Sequence, residues 1–510
     1  MLGRTAGAVL VGVEARLVDV EVHLGGGIPN IAAVGLADSS VREGIDRIRA
    51  ALMHSGFRLP QRRVTINLAP ADVRKDGAGL DLPIAAAILA ADGRLGTAPA
   101  RDIVLAGELA LDGAVRTVRG VLAIALAARA AGRRGVVVPA ANVAEALLVP
   151  GIEVWRAASL ADALAVLKDP SRSAAPAAPE REHEAEPEPM GEDLADVRGQ
   201  HAARRALEVA AAGGHHLLLS GPPGSGKTML ARRLAGILPP LSHEEALEVT
   251  RVWSAAGMTT GLVRRRPFRA PHHGVSLAGL IGGGQALKPG EIALANGGVL
   301  YLDEMTEFRR DALEALRQPL ESGDVSLVRL HARAVLPARF MLVASMNPCP
   351  CGWHGDPRAR CRCTPNEVRR YQGKLSGPLI DRFDLAVEVP AVDPVDLSSS
   401  AEGEPSARVR ERVDAARARQ RSRFGPGGPA SNARMGRAEL EAHASLSRAP
   451  TRLLVDACRR LGLTARAYDR VRRVARTLAD LDASERILDR HVAEAVQYRR
   501  VPVDLPFGAA

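Results

Sequence analysis

Valines at positions 18, 20 and 22 alternate with polar residues, the two-residue period of a strand with one buried face. Val64 to Leu68 reads as a second strand, and Val136-Val137-Val138-Pro139 is the short apolar run expected of a buried strand. Between these runs the period lengthens. Ser40-Val41-Arg42-Glu43 is a capping-box pattern opening a helix that ends near Gly56, and Val121 to Ala131 predicts another helix. Such alternation predicts a mixed α/β domain over residues 1–168.

The pattern breaks at Asp169. Residues 169–191 carry Pro170, Pro176, Pro179, Pro187 and Pro189, with alternating glutamates from Glu180 to Glu188. That composition buries too little to offset the entropy of ordering and predicts a flexible linker. Beyond it, His215 to Ser220 is a short apolar strand, then come a glycine loop and a helix from Met229 to Leu238. Strand, loop and helix in that order begin a parallel, helix-covered sheet, here expected over residues 192–395. A lesser break spans Asp393 to Ser406, and Gly425-Pro426-Gly427-Gly428-Pro429 marks a later loop. From Arg408 the pattern is helical, with Leu453, Ala457 and Leu461 four apart, so residues 396–510 are expected to be all-α.

Composition adds bounds. A chain of 510 residues is too long for one core. With 46% hydrophobic residues but only 3% aromatic, its cores must be packed from Ala, Val and Leu. The net charge of +10 suits a polyanionic partner, because each neutralised phosphate releases counterions. An arginine-rich usage from a GC-rich genome explains part of the same excess. No uninterrupted 18-residue apolar run and no cleavage signal are present, which predicts neither a membrane span nor secretion. Four of the five cysteines crowd between Cys349 and Cys363, unlike a dispersed disulfide framework, and fit a reducing cytoplasm.

The chemistry concentrates in three strand ends. Gly221-Pro222-Pro223-Gly224-Ser225-Gly226-Lys227-Thr228 matches the P-loop pattern at the required strand-to-helix junction. Glycines let backbone N–H groups wrap phosphate oxygens at a helix N-terminus. Lys227 is placed to reach the β- and γ-phosphates, and Thr228 to offer its hydroxyl to Mg²⁺. Gly298 to Glu304 is an apolar strand ending in paired carboxylates: Asp303 for the Mg²⁺ shell, Glu304 to polarise the attacking water. Phe340 to Ser345 is a third strand, ending at Met346-Asn347, where an amide near the γ-phosphate can distinguish ATP from ADP.

Four further segments carry a resemblance. They are Arg266 to His273, Asn347 to Gly352, Ser376 to Asp384, and Ala465 to Arg470 (ARAYDR). In this order they make the chain similar, over nearly its whole length except the linker, to the ComM/YifB family of magnesium-chelatase-like AAA+ proteins. The resemblance implies a central AAA+ P-loop domain of three αβα layers and a C-terminal helical lid. It also implies a homo-hexameric ring with ATP between subunits, and branch migration of imported DNA alongside recombination proteins. Arg382 then matches the arginine finger reaching a neighbour's site, and Arg466 the sensor-2 arginine. An insertion maps to about residues 252–288, with Arg264, Arg265 and Arg266. A hairpin before the sensor strand maps to about 323–336, with Arg329, His331 and Arg333. In related motors such loops face the pore, and here they are expected to grip the phosphates of single-stranded or branched DNA.

Cys349-x-Cys351 and Cys361-x-Cys363 fit either a structural Zn²⁺ or reduced, redox-active thiols; Cys458 stands alone on a helix as a small core residue. The first domain resembles the Lon-protease-like (ribosomal S5 domain 2-like) fold. At its nucleophile position stands Gly79 and at its lysine position Ile124, so a Ser–Lys dyad is missing and peptide cleavage is not expected. Rival readings are a chelatase motor subunit that remodels a protein, a Lon-type protease and a DNA-dependent scaffold.

Overall fold

The computed structural model describes residues 1–35, 39–95, 101–171, 192–284, 286–329, 332–358, 360–392 and 403–499. The expected linker past Ser171, residues 393–402 and His331 lie outside the described residues, as does the side chain of Ser40 in the expected cap.

The first domain is built on one mixed sheet. Its strands are β1 (Leu2–Val11), β2 (Glu14–Gly25), β3 (Asn30–Val34), β4 (Arg63–Ala69) and β5 (Ile103–Leu105). A two-residue pair, β6 (Glu108–Leu109) and β7 (Val115–Arg116), precedes β8 (Gly135–Pro139) and β9 (Glu153–Ala157). The order is β3-β4-β2-β1-β5-β8-β9. Val18, Val20 and Val22 are fully buried on one face of β2 while Asp19 and His23 point outward, as the alternation requires. The predicted helices occupy Ser39–His54 and Val121–Ala130. Another helix, Asp81–Ala91, is buried along almost its whole length.

The second domain is a five-stranded, all-parallel sheet of β10 (Leu217–Ser220), β11 (Phe268–Arg269), β14 (Val299–Leu302), β17 (Met341–Met346) and β18 (Leu385–Glu388). Its order is β11-β14-β17-β10-β18. Every residue of β10, β14 and β17 is buried, as in a sheet covered on both faces. One face packs on helices His201–Gly213 and Lys227–Ile237, the other on His243–Ala256 and the segments around Leu313 and Leu379. Two short antiparallel pairs project from this frame: β12 (Gly282–Gly283) with β13 (Lys288–Pro289), and β15 (Asp324–Arg329) with β16 (Ala332–Pro337). The expected insertion at 252–288 needs one correction. Phe268-Arg269 within it is a strand of the sheet, paired with Val299-Leu300, and two residues are too few to show a period.

The C-terminal region is helical: Ser406–Phe424, Arg437–His443, Arg448–Leu461, Ala465–Leu481 and Asp489–Gln497. It shares one apolar cluster with the face of the sheet that carries the P-loop helix. A buried ion pair pins it. Arg470 Nη1 donates to Asp384 Oδ1 at 2.6 Å and to the Arg382 carbonyl at 2.8 Å. Burial pushes the Asp384 carboxyl up, but Arg470 and His215 outweigh it and hold it well below the ordinary range. Arg470→Ala leaves that buried charge with His215 and the His216 N–H but without its guanidinium, so unfolding stability is expected to fall by about 3 kcal/mol. Chemical denaturation checks this, and a loss below about 1 kcal/mol, as for a surface pair, contradicts it.

The two α/β domains touch at a defined place. The β1–β2 turn seats Val13 in the cluster formed by Leu287, Leu327 and Leu336, beside the root of the β15–β16 hairpin. A Cβ on Gly12 would lie 2.6 Å from Ala334 Cβ. Nearby, fully buried Glu145 accepts from Leu122 N and Asn142 Nδ2 and from Ser254 Oγ of the second domain.

Candidate nucleotide site and its distant arginines

Because β14, β17 and β10 are adjacent and parallel, their C-terminal ends share one sheet edge. Ser220 pairs with Met346, and Leu302 with Ala344. The residues that follow, Gly221, Asp303 and Asn347, therefore meet. The loop itself requires glycine at two points, with Gly224 at φ 74° and Gly226 at φ 88°, and Gly226 caps the helix Lys227–Ile237. Lys227 Nζ donates at 2.8 Å to the carbonyls of Gly221 and Pro222 and at 3.2 Å to Asn347 Oδ1. Thr228 Oγ1 donates to Asp303 Oδ2 at 2.8 Å, which brings together the two groups suited to a hydrated Mg²⁺. The backbone turn, the buried cation and the hydroxyl–carboxylate pair all fit a nucleotide triphosphate with its metal.

Two residues that the sequence reading missed hold Asp303. Tyr301 Oη donates to Asp303 Oδ1 at 2.9 Å and Ser345 Oγ at 2.5 Å. Burial raises the Asp303 carboxyl, yet the hydrogen bonds from Ser345, Thr228 and Tyr301 prevail and keep it below its usual range. Glu304 is exposed and sits in the left-handed region at φ 50°, with its N–H held by Ser345 Oγ at 3.1 Å. A non-glycine residue there stores strain, a feature that clusters at functional sites. Gln200 was also missed: its Nε2 donates to the P-loop carbonyl of Ser225 at 3.3 Å. Pro222, Pro223 and Ser225 complete the loop, with Ser225 buried.

Burial lowers the Lys227 ammonium to about 8, against the opposing pull of Asp303 and Glu304. Phosphate binding needs the cation. Affinity for ATP is therefore expected to be level below neutral pH and to fall as pH rises through about 8, by up to ~10-fold per unit. Titration of a fluorescent ATP analogue at pH 7 and pH 9 tests this, and equal affinities refute it.

Arg382 is elsewhere. It precedes β18, whose Leu385 is in register with Leu217 at the start of β10. It thus stands at the N-terminal end of the sheet, whereas the P-loop leaves the C-terminal end, with roughly 13 Å of strand between. Its side chain is 7% exposed, its Nη2 paired with Glu321 Oε1 at 2.5 Å and its Nη1 donating to the Pro378 carbonyl at 2.6 Å. Burial lowers its pKa, though Glu321 opposes this. Arg466, exposed on the helix Ala465–Leu481, lines the same surface depression as Arg382, Arg470 and Arg473. Arg466 therefore stands on the surface and Arg382 is buried beneath it at the same depression, at the end of the sheet away from their own phosphate loop.

Of the basic loop residues, Arg264, Arg265, Arg329 and Arg333 are exposed. Arg329 lies over the β12 turn, its Nη2 3.3 Å from where a Gly283 Cβ would stand, so hairpin and insertion meet. Arg266 is a correction to the expected DNA contacts. Its guanidinium donates to the carbonyls of Pro239 and Gly297 at 2.6 Å and to Glu245 at 2.9 Å, which makes it a clamp inside the fold. In the first domain, Gly79 lies in the short turn Ala78–Leu80 and Ile124 is buried in the helix Val121–Ala130. Among the described residues no helix is long and apolar enough to cross a membrane.

A five-stranded parallel sheet with P-loop, paired carboxylates and strand-end asparagine on one edge defines an AAA+ nucleotide-binding module. Family models agree. The one described as magnesium chelatase, subunit ChlI, matches residues 193–397; subunit ChlI of Mg-chelatase matches 20–142; and the ChlI C-terminal model matches 403–499. The chain is 45% identical to YifB of Salmonella typhimurium and 44% identical to the competence protein ComM of Haemophilus influenzae, each over 96% of both chains. Similarity to the magnesium-chelatase 38 kDa subunit of Cereibacter sphaeroides is 28%, over 38% of this chain and 57% of that one. The chain belongs to the ComM/YifB family of magnesium-chelatase-like AAA+ proteins.

Proposed function

We propose that this protein is a ring-forming ATPase that moves along DNA and promotes branch migration during recombination. The observation that carries the motor reading is the separation of Arg382 and Arg466 from their own P-loop, which leaves each catalytic site to be completed by a second copy. In that arrangement Gly221 to Thr228 bind the phosphates, and Thr228 and Asp303 hold Mg²⁺, which supplies charge neutralisation. Glu304 orients the water, Asn347 monitors the γ-phosphate, and a neighbour's Arg382 stabilises the transferring group. DNA as the partner rests on the exposed Arg264, Arg265, Arg329 and Arg333 of the two basic loops, on the net charge of +10, and on the similarity to a competence protein.

The chelatase-subunit alternative draws on the chelatase family models, but similarity to a chelatase subunit itself is only 28% and covers 38% of this chain. A four-way-junction assay separates the two. ATP-dependent junction movement and DNA-stimulated hydrolysis are expected; hydrolysis indifferent to every DNA form would remove the DNA reading. The first domain has no Ser or Thr between Thr65 and Thr97 to act as a nucleophile beside Gly79, and it is assigned a role in assembly or partner binding.

A further inference from the structure

Between Asn347 and the helix Pro365–Gln372 the chain forms a loop on which four cysteines converge. All four sulfurs lie within 4.8 Å of one another. The pairs Cys349–Cys351, Cys351–Cys361 and Cys349–Cys361 stand 3.4, 3.6 and 3.7 Å apart. A disulfide needs about 2.05 Å. Four thiolates bound at about 2.3 Å around one tetrahedral centre stand about 3.8 Å apart, so the geometry fits a single ion. Backbone N–H groups also aim at the sulfurs: Trp353 and Arg362 at Cys351, and His354 at Cys349. Such donors orient thiolate ligands around a metal.

We propose that Cys349, Cys351, Cys361 and Cys363 bind one structural Zn²⁺ whose task is to brace the phosphate loop. A tetrahedral all-thiolate set selects Zn²⁺ over hard cations. The brace is visible in what the loop touches. Gly352, at φ 84°, lies against the P-loop so closely that a Cβ there would come within 2.4 Å of Pro223 Cδ. Cys349 is buried two residues after Asn347, which accepts from Lys227 Nζ. The intervening Pro348 carbonyl accepts from buried Gln372 Nε2 at 3.0 Å. Metal bonds at Cys349 and Cys351 therefore fix both the sensor amide and the wall behind Pro223. The bracing role rests on the reading of Gly221 to Thr228 as the ATP site; the metal itself does not.

The test uses the full chain, prepared under reducing conditions with zinc and analysed by plasma mass spectrometry and fluorescent ATP-analogue binding. One zinc per chain is expected in the wild type and none in Cys361→Ser/Cys363→Ser, whose analogue affinity should fall at least about tenfold. Gly352→Ala separates the two parts of the idea, since it should keep the zinc yet weaken analogue binding by a similar factor. If the double variant does not fold, chelator titration of the wild type with the same readouts takes its place. Zinc well below one per chain after reconstitution, stoichiometric iron, or disulfides between these cysteines would overturn the metal site. Full analogue affinity in zinc-free chain or in Gly352→Ala would overturn the brace. Zinc present with no ATP-analogue binding in the wild type would refute the nucleotide reading while leaving the metal site standing.

Discussion

Glu304→Gln is expected to bind ATP with near wild-type affinity and to hydrolyse it about 10²–10⁴-fold more slowly. The phosphates would be held by other groups: the P-loop N–H donors, Lys227 and Thr228. The carboxamide keeps the shape of Glu304 but cannot take a proton from water. Its neighbour Asp303 keeps its hydrogen bonds from Tyr301, Ser345, Thr228 and the Glu304 backbone N–H, because none of them involves the Glu304 side chain. Single-turnover hydrolysis and analogue binding on the same preparation separate the two effects. Ring assembly, read by light scattering with ATP, should persist while junction movement stops. A variant that hydrolyses ATP at the wild-type rate would show that another group activates the water.

The second large effect concerns Arg382. Arg382→Ala should lower hydrolysis by about 10³-fold or more, the contribution expected of an arginine completing a phosphoryl-transfer site. Loss alone is ambiguous, since Arg382 also bonds Glu321 and the Pro378 carbonyl within its own chain. Mixing resolves this. Lys227→Ala retains a good arginine and Arg382→Ala a good phosphate loop, so joint rings regain complete sites. At equal amounts about a quarter of the sites in a randomly mixed head-to-tail ring are intact. Hydrolysis should therefore rise from background in both single preparations to roughly that fraction of wild type. A mixture as inactive as its components would mean that Arg382 serves only its own fold, and the ring reading would fail.

How far the sequence could be read differs from one residue to the next. The alternating valines of β2 announced their strand because one face is buried and the other wet. The helix Asp81–Ala91 gave no such signal, since it is apolar on all sides and has no stripe to detect. The P-loop and the Asp-Glu strand end were legible because their chemistry is local, carried by neighbours in the chain. Tyr301 was not, because a tyrosine two residues before a carboxylate carries no pattern of its own, and Ser345 and Gln200 were not, because they reach the site only once distant segments are folded together. The left-handed backbone at Glu304 has no sequence mark at all; glycine would advertise it, and a carboxylate is there instead. Arginine was the hardest residue to read. Arg266 in a basic run looked like a phosphate contact, yet it is consumed by three carbonyls and Glu245, and only the fold distinguishes the two fates.

In the proposed ring, the placement of Arg382 across the sheet from Lys227 would also tie turnover to assembly. If a neighbour's Arg382 completes each site, as proposed, a solitary protomer would load nucleotide without hydrolysing it. An open row of copies has one fewer finished junction than it has members. The arrival that closes the circle completes two junctions at once, so in the proposed ring turnover per copy should rise with each addition and reach its full value only at closure.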